Sequence, residues 1–216
     1  MTVALITREL IVVARRPVLV AAVALYVALL AGFTLIWGLK LPALTGASVF
    51  EILRVFHWGL LATLMPWVVA RCHALDRGDR FVMLSALVAR RPSSIVLAKV
   101  LSLAGVLALI AVAGAPAVII AAKMSALPFS AVTRDLASAL SIGILSSAIA
   151  IAWILRTGDV FTSWIGSTVT MAAVLTAAAR LTPAPTARDL SMLVIAAAVT
   201  AAAAAWSDRA FQYCHE

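Results

Sequence analysis

The chain has 216 residues, of which 64% are hydrophobic and only 12% charged, and its mean hydropathy is +1.11. A globule of this size cannot hide so much apolar surface from water, so a soluble domain is excluded and the bilayer is the solvent. The formal net charge of +8 does not point to nucleic acid, because the basic residues sit at the ends of apolar runs and form no stripe.

In the first segment, Thr2 to Arg16, the polar residues Thr2, Arg8, Glu9, Arg15 and Arg16 recur at about seven-residue spacing, with Val3, Leu5, Ile6, Leu10, Ile11, Val12 and Val13 between them. That is the pattern of an amphipathic helix lying in the membrane interface. The apolar run after Arg16 is too long for the hydrophobic region of a secretory signal and lacks a small-residue cleavage site, so the segment is expected to stay attached.

Val18 to Gly38 is the first predicted span, about twenty uncharged residues that cross a hydrocarbon core of about 30 Å. Lys40, Pro42 and Gly46 make a short outer loop. Ile52 to Ala70 is the second span, with Arg54 and His57 in its first turns and Glu51 just before them. Steps of three put these ionisable residues on one helix face near the outer end.

The polar interruption from Arg71 to Lys99 follows. Arg71, Arg77, Arg80, Arg90, Arg91 and Lys99 face only Asp76 and Asp79 there, an excess of cations that marks the cytoplasmic side. Asp79 is placed to cap a short helix whose stripe is Phe81, Val82, Leu84, Leu87 and Val88, ended by Pro92.

The third span, Ile95 to Ala121, is long enough to tilt or to break near Gly114 and Pro116. A second outer loop holds Lys123, Pro128, Arg134 and Asp135. The fourth span, Leu136 to Leu155, carries Ala139, Gly143 and Ser147 every four residues, the small-residue spacing of closely packed membrane helices. Arg156 to Asp159 makes a tight cytoplasmic hairpin to the fifth span, Val160 to Ala179. After the outward loop RLTPAPTARD, the alanine-rich Leu190 to Trp206 is a sixth span of marginal hydrophobicity, and SDRAFQYCHE is a tail.

The expected fold is therefore an all-α polytopic membrane protein. It has an interfacial helix over 1–16 and a transmembrane domain over 17–206, with spans at 18–38, 52–70, 95–121, 136–155, 160–179 and 190–206. A polar region lies at 71–94 and a tail at 207–216. With both termini inside, eleven of the seventeen Lys and Arg residues fall on the cytoplasmic side, in agreement with the positive-inside rule.

Absent motifs narrow the chemistry. There is no GxxxxGK[ST], HExxH, paired CxxC or GxSxG, so neither nucleotide hydrolysis nor a familiar hydrolase site is expected. Acidic residues are sparse and none is expected at the centre of a span, which argues against a proton relay or a cation-coupled carrier.

An amphipathic helix, two spans, a basic charged turn with a short helix, and a third span opening on Ile95-Val96-Leu97-Ala98-Lys99-Val100 together resemble the ABC-2 type exporter permeases. The resemblance covers the first half of the chain, and the second half by helix count. It implies that 1–16 is an elbow helix at the membrane surface and that Asp76 to Val88 is the coupling helix that docks on a separate ATPase. Asp76, Arg77, Asp79, Arg80, Phe81, Leu84 and Leu87 would make that contact. Family members commonly open the coupling helix with a glycine, a small residue and an acid and place a proline after its leucines. This chain instead has Arg80, Phe81, Met83 and Ala89, with the proline displaced to Pro92. Its short length and Leu97-Ala98-Lys99-Val100 also resemble the small haem-exporter B-type permeases.

The function so implied is that of a permease subunit, not an enzyme, exporting a lipid-like, polymeric, peptide or small hydrophobic cargo across the inner (cytoplasmic) membrane. It would hold no cofactor itself. ATP and Mg would be bound by the partner ATPase, and a second permease chain, identical or different, would complete the pore. The competing class is a polytopic membrane enzyme or scaffold without an ATPase. Catalysis there would need convergent polar groups at one depth, and only Glu51, Arg54 and His57 approach that.

Two readings stand for Glu51, Arg54 and His57: they line a cargo path or outer gate, or they snorkel to the headgroups. Cys72-His73 and Cys214-His215 are two Cys-His dipeptides on one predicted side. Adjacent residues on a helix diverge by about 100°, unlike the usual metal-ligand spacing, so no metal site is expected and free thiols are. Trp37, Trp58, Trp67, Trp153, Trp164 and Trp206 fall mostly near span ends, as an interfacial indole belt would.

Overall fold

The computed structural model describes residues 7, 11, 15–40, 46–78, 92–181 and 185–213. They form six helices, with no strand among the described residues: α1 (Pro17–Lys40), α2 (Gly46–Gly78), α3 (Pro92–Met124), α4 (Phe129–Thr157), α5 (Val160–Leu181) and α6 (Pro185–Tyr213). Five contain stretches long and apolar enough to cross a membrane: Pro17–Ile36, Val49–His73, Ser93–Met124, Phe129–Thr157 and Val160–Ala178. The sixth carries a shorter apolar stretch, Asp189–Ala205. The chain is a multi-pass helical membrane protein.

Helix ends follow local chemistry. Arg16 precedes α1 and its carbonyl accepts the Leu19 N–H at 3.0 Å, while Pro17 takes the first helical position, where a missing N–H costs nothing. At the other side of the fold, α4 ends on Gly158, whose φ of 70° lies in the left-handed region that glycine adopts freely and whose N–H returns to the Ile154 carbonyl at 2.9 Å. Asp159 then caps α5, its Oδ2 accepting the Thr162 N–H at 2.7 Å. These two caps make the α4–α5 hairpin with almost no loop. Thr157 and Ser163 hydroxyls close it at 2.7 Å.

Between α3 and α4, Ala126 has φ 51°. The Leu127 N–H bonds the Ala122 carbonyl at 2.9 Å and the Ala126 N–H bonds that of Lys123 at 3.1 Å. That bond pair is a Schellman cap with alanine in the glycine position.

Close side-chain contacts join the helices at several levels of the bundle. Gly143 of α4 lies against Leu107 of α3, Tyr26 of α1 against Gly114 of α3, and Gly166 of α5 against Trp153 of α4. α4 is the most enclosed of the five spans, touching α2, α3, α5 and α6, whereas α1 and α5 show most of their surface to lipid. In α1 the buried stripe is Leu19, Ala22, Tyr26 and Leu30, while Val20, Leu25, Leu35 and Ile36 face outward. Phe33 and Phe56 stack across α1 and α2 with centroids 4.6 Å apart.

Several boundaries differ from those expected. α4 begins at Phe129, about two turns before the expected Leu136, because Pro128 in extended conformation (φ −69°, ψ 155°) launches it directly from the turn. Asp135 therefore belongs to the helix and not to an outer loop. α2 runs on to Gly78, so Arg71, Asp76 and Arg77 extend the second span's helix. α3 passes through Gly114 and Pro116 unbroken.

The Ala139, Gly143 and Ser147 face is buried within the chain. Of the elbow segment, only Thr7, Ile11, Arg15 and Arg16 are described, with the Arg15 N–H on the Ile11 carbonyl at 3.2 Å.

Candidate functional site

Three helices meet at a polar point inside the apolar bundle. Tyr26 arrives from the middle of α1, on the buried stripe. His57 comes from α2 between buried Leu53 and Leu61, and Asp135 from the second turn of α4. Tyr26 Oη and His57 Nε2 are 2.6 Å apart, and His57 Nδ1 and Asp135 Oδ2 are 3.0 Å apart. All three are enclosed: His57 and Tyr26 are 0% exposed and Asp135 2%. Gly114 of α3 supplies the fourth wall, since a Cβ there would collide with the Tyr26 hydroxyl and sit 3.0 Å from its ring.

One valence is open. Asp135 Oδ1 is buried with no hydrogen-bond partner, and a carboxylate so placed is costly unless its charge is compensated. One turn further along α4, the Ser138 hydroxyl donates to Asp189 Oδ2 on α6 at 2.8 Å, and Asp189 Oδ1 is likewise buried and unpartnered.

The expected cluster of Glu51, Arg54 and His57 divides. Glu51 and Arg54 pair at 2.5 Å on the partly exposed side of α2, and the Arg54 guanidinium lies 5.0 Å from the Trp58 ring centroid. His57 turns inward and is buried. Its partners Tyr26 and Asp135 had no place in the sequence reading of this cluster. Sequence held a signal for Asp135: the four-residue series Ala139, Gly143, Ser147 extended one step back lands on it. Asp189 heads the buried series Met192, Ala196, Thr200 and Ala203 of α6 in the same way.

Of the expected coupling residues, Asp76 and Arg77 lie in the last turn of α2, whereas Asp79, Arg80, Phe81, Leu84 and Leu87 lie outside the described residues, as do Cys214 and His215. Cys72 is buried in the core of α2.

The indoles are not a simple belt. Trp153 Nε1 donates to Thr170 Oγ1 and Trp164 Nε1 to the Thr63 carbonyl, both at 3.1 Å. Thr63 lies next to Ala62, whose carbonyl loses its usual donor because Pro66 has no N–H. An apolar groove of about 520 Å³ runs between α1 and α3, lined among others by Leu30, Thr34, Gly114 and Ile120.

Fold and site together define a multi-pass helical membrane protein with a buried tyrosine–histidine–aspartate cluster. No family model, curated protein or solved structure matches the chain.

Proposed function

We propose that the chain is the permease subunit of an ABC-2 type transporter, driven by a separate ATPase that binds ATP and Mg. The observation that carries this reading is the Arg-rich link and the two helices it joins. α2 and α3 have 33 residues each, about 50 Å at helical rise against a hydrocarbon core of about 30 Å. The apolar part of α2 ends at His73, so its last turn, with Asp76 and Arg77, extends past the apolar band toward the link at 79–91. A basic connection between the ends of two such long helices suits a contact with a soluble ATPase.

In this reading the link end is cytoplasmic, both termini lie on that side of the inner membrane, and α6 is the sixth span. Its apolar stretch, Asp189–Ala205, covers about 26 Å, and packing along α3 and α4 supports it where hydrophobicity is marginal. A second permease chain completes the pore. Since the small-residue face of α4 is occupied by α3 within the subunit, the exposed side of α5, with Phe161, Ile165 and Val169, is the contact we assign to it. The competing reading as a membrane enzyme gains little, because the convergent polar cluster of Tyr26, His57 and Asp135 is enclosed by the bundle.

The test is co-purification in mild detergent from native membranes, followed by an ATPase assay. ATP hydrolysis should travel with the chain. Reversing Arg77 and Arg80 together to Glu should abolish that association or uncouple hydrolysis from transport at unchanged membrane abundance. Unimpaired assembly and transport by the double variant would defeat the coupling assignment, and ATP-stimulated transport by the purified chain alone would defeat the separate-ATPase reading.

A further inference from the structure

We propose that Tyr26, His57 and Asp135 form a buried binding site for one exchangeable proton that ties α1, α2 and α4 together at the end opposite the Arg-rich link. The first support is hydrogen-bond geometry. When His57 is neutral with its proton on Nδ1, that N–H donates to Asp135 Oδ2 and the Tyr26 hydroxyl donates to Nε2, using both contacts, at 3.0 and 2.6 Å. When a further proton adds at Nε2, the imidazolium donates at both nitrogens and the tyrosine oxygen changes from donor to acceptor. The same heavy-atom positions thus serve both states, and only hydrogens move.

The second support is charge. In the neutral-histidine state the cluster carries one carboxylate, 2% exposed, with Oδ1 unpartnered. Adding a proton makes the cluster an electrically neutral imidazolium–carboxylate pair, or protonates Oδ1 directly. Among the described residues, no fixed cation on the surrounding helices is engaged with it. On α2, Arg54 is paired with Glu51. On α4, Arg134 is exposed. α3 brings Gly114 to the cluster, and its Lys123 is exposed at the helix end, as is Arg180 of α5. α6 contributes a second carboxylate, Asp189, held one turn away through Ser138. On α1 the facing group is Tyr26 itself. Among the described residues the cluster is therefore short of one positive charge, with Asp135 Oδ1 unpartnered, and a proton is the smallest ligand that supplies it without opening the packed bundle. This rests on the cluster alone and not on how the chain is energised.

The experiment uses the full chain in lipid nanodiscs with ¹⁵N-labelled histidine, recording imidazole signals by NMR from about pH 4 to about pH 9, the window of histidine and carboxylate titration. The His57 signal, assigned by its loss in His57→Gln, should report uptake of one proton, and Asp135→Asn should abolish that response or displace its midpoint. Infrared difference spectra over the same range should show either the imidazolium ring band or a protonated-carboxyl band, removed by Asp135→Asn. A wild-type His57 signal and carboxyl region both unchanged across the range would overturn the proposal, and this arm needs no variant to fold. A response that follows replacement of sodium by choline at fixed pH, and not pH, would overturn it in favour of a metal cation.

Discussion

Gly143 offers the sharpest check on how the bundle is packed. It lies on the enclosed face of α4, and an added Cβ would collide with Leu107 Cδ2 of α3 and sit 2.9 Å from Cδ1 and 3.1 Å from Cγ. Leu107 is itself 0% exposed, so it cannot swing clear into lipid. Overpacking of this kind costs about 1–3 kcal/mol, while replacing a helical glycine by alanine returns up to about 1 kcal/mol of propensity. Gly143→Ala should therefore be destabilising by about 1 kcal/mol net. Leu107→Ala alone, which opens a cavity, should cost about 2–5 kcal/mol. In the double variant the new methyl enters the space that Leu107 vacates, so the two changes should couple favourably by about 1–2 kcal/mol. Reversible unfolding in detergent micelles, with the four proteins of the cycle side by side, gives that coupling energy. Additive effects, or a Gly143→Ala variant that alters oligomeric state at unchanged subunit stability, would refute the packing of this face inside the chain.

Other expectations follow from single residues. In a cysteine-free background, Arg54→Cys should react with a water-soluble thiol reagent and His57→Cys should not, because the first lies on the partly exposed side of α2 and the second in its core. Ala126→Gly should stabilise by about 0.5 kcal/mol in the same unfolding assay, since alanine at φ 51° carries a left-handed penalty that glycine lacks, partly offset by glycine's greater unfolded-state freedom. Hydrogen bonds from Thr162, first its backbone N–H and then its side chain, hold the exposed Asp159 carboxyl below its ordinary 3.8 against an opposing desolvation, with the Phe161 and Val160 amides adding lesser contributions. A carboxyl lowered by folding stabilises the native state above its ordinary value and ceases to do so as pH falls through the lowered one. Hydrogen-exchange protection of the Thr162 amide should follow that sequence, and Asp159→Asn should remove the pH dependence.

How much of this was legible in the sequence depends on which force sets each feature. The spans were legible because hydrocarbon admits only runs of about twenty apolar residues, and the expected 18–38 and 160–179 lie within α1 and α5. Helix ends were not, because a helix runs past its apolar stretch wherever capping and packing allow. Charge was taken as the mark of an outer loop at Asp135 and of a break after the second span at Asp76, yet both belong to the long helices, Asp135 because Pro128 starts α4 early and Asp76 because α2 continues to Gly78. The small-residue series of α4 was legible as a packing face, but its partner was not, since period-four spacing is the same whether the neighbour is α3 or a second subunit.

The buried cluster shows where one-dimensional reasoning stops. Glu51, Arg54 and His57 were grouped because steps of three place residues on one side of a helix, but each such step also turns the side chain by about 60°. Over two steps that rotation carries His57 from the rim, where Glu51 lies, to the interior. Its true partners are 31 and 78 residues away, on helices whose adjacency is decided by packing and not by any local pattern. Hydropathy treats Tyr26 as an ordinary member of an apolar run and Asp135 as a loop acid, so neither residue advertises the other. What joins them is a steric condition at a third place: Gly114 must lack a side chain for the Tyr26 hydroxyl to sit where His57 can reach it. Gly114→Ala should for that reason disturb the response of His57 to pH although residue 114 has no ionisable group, and an unchanged titration in that variant would show that the tyrosine contact is not what positions the ring.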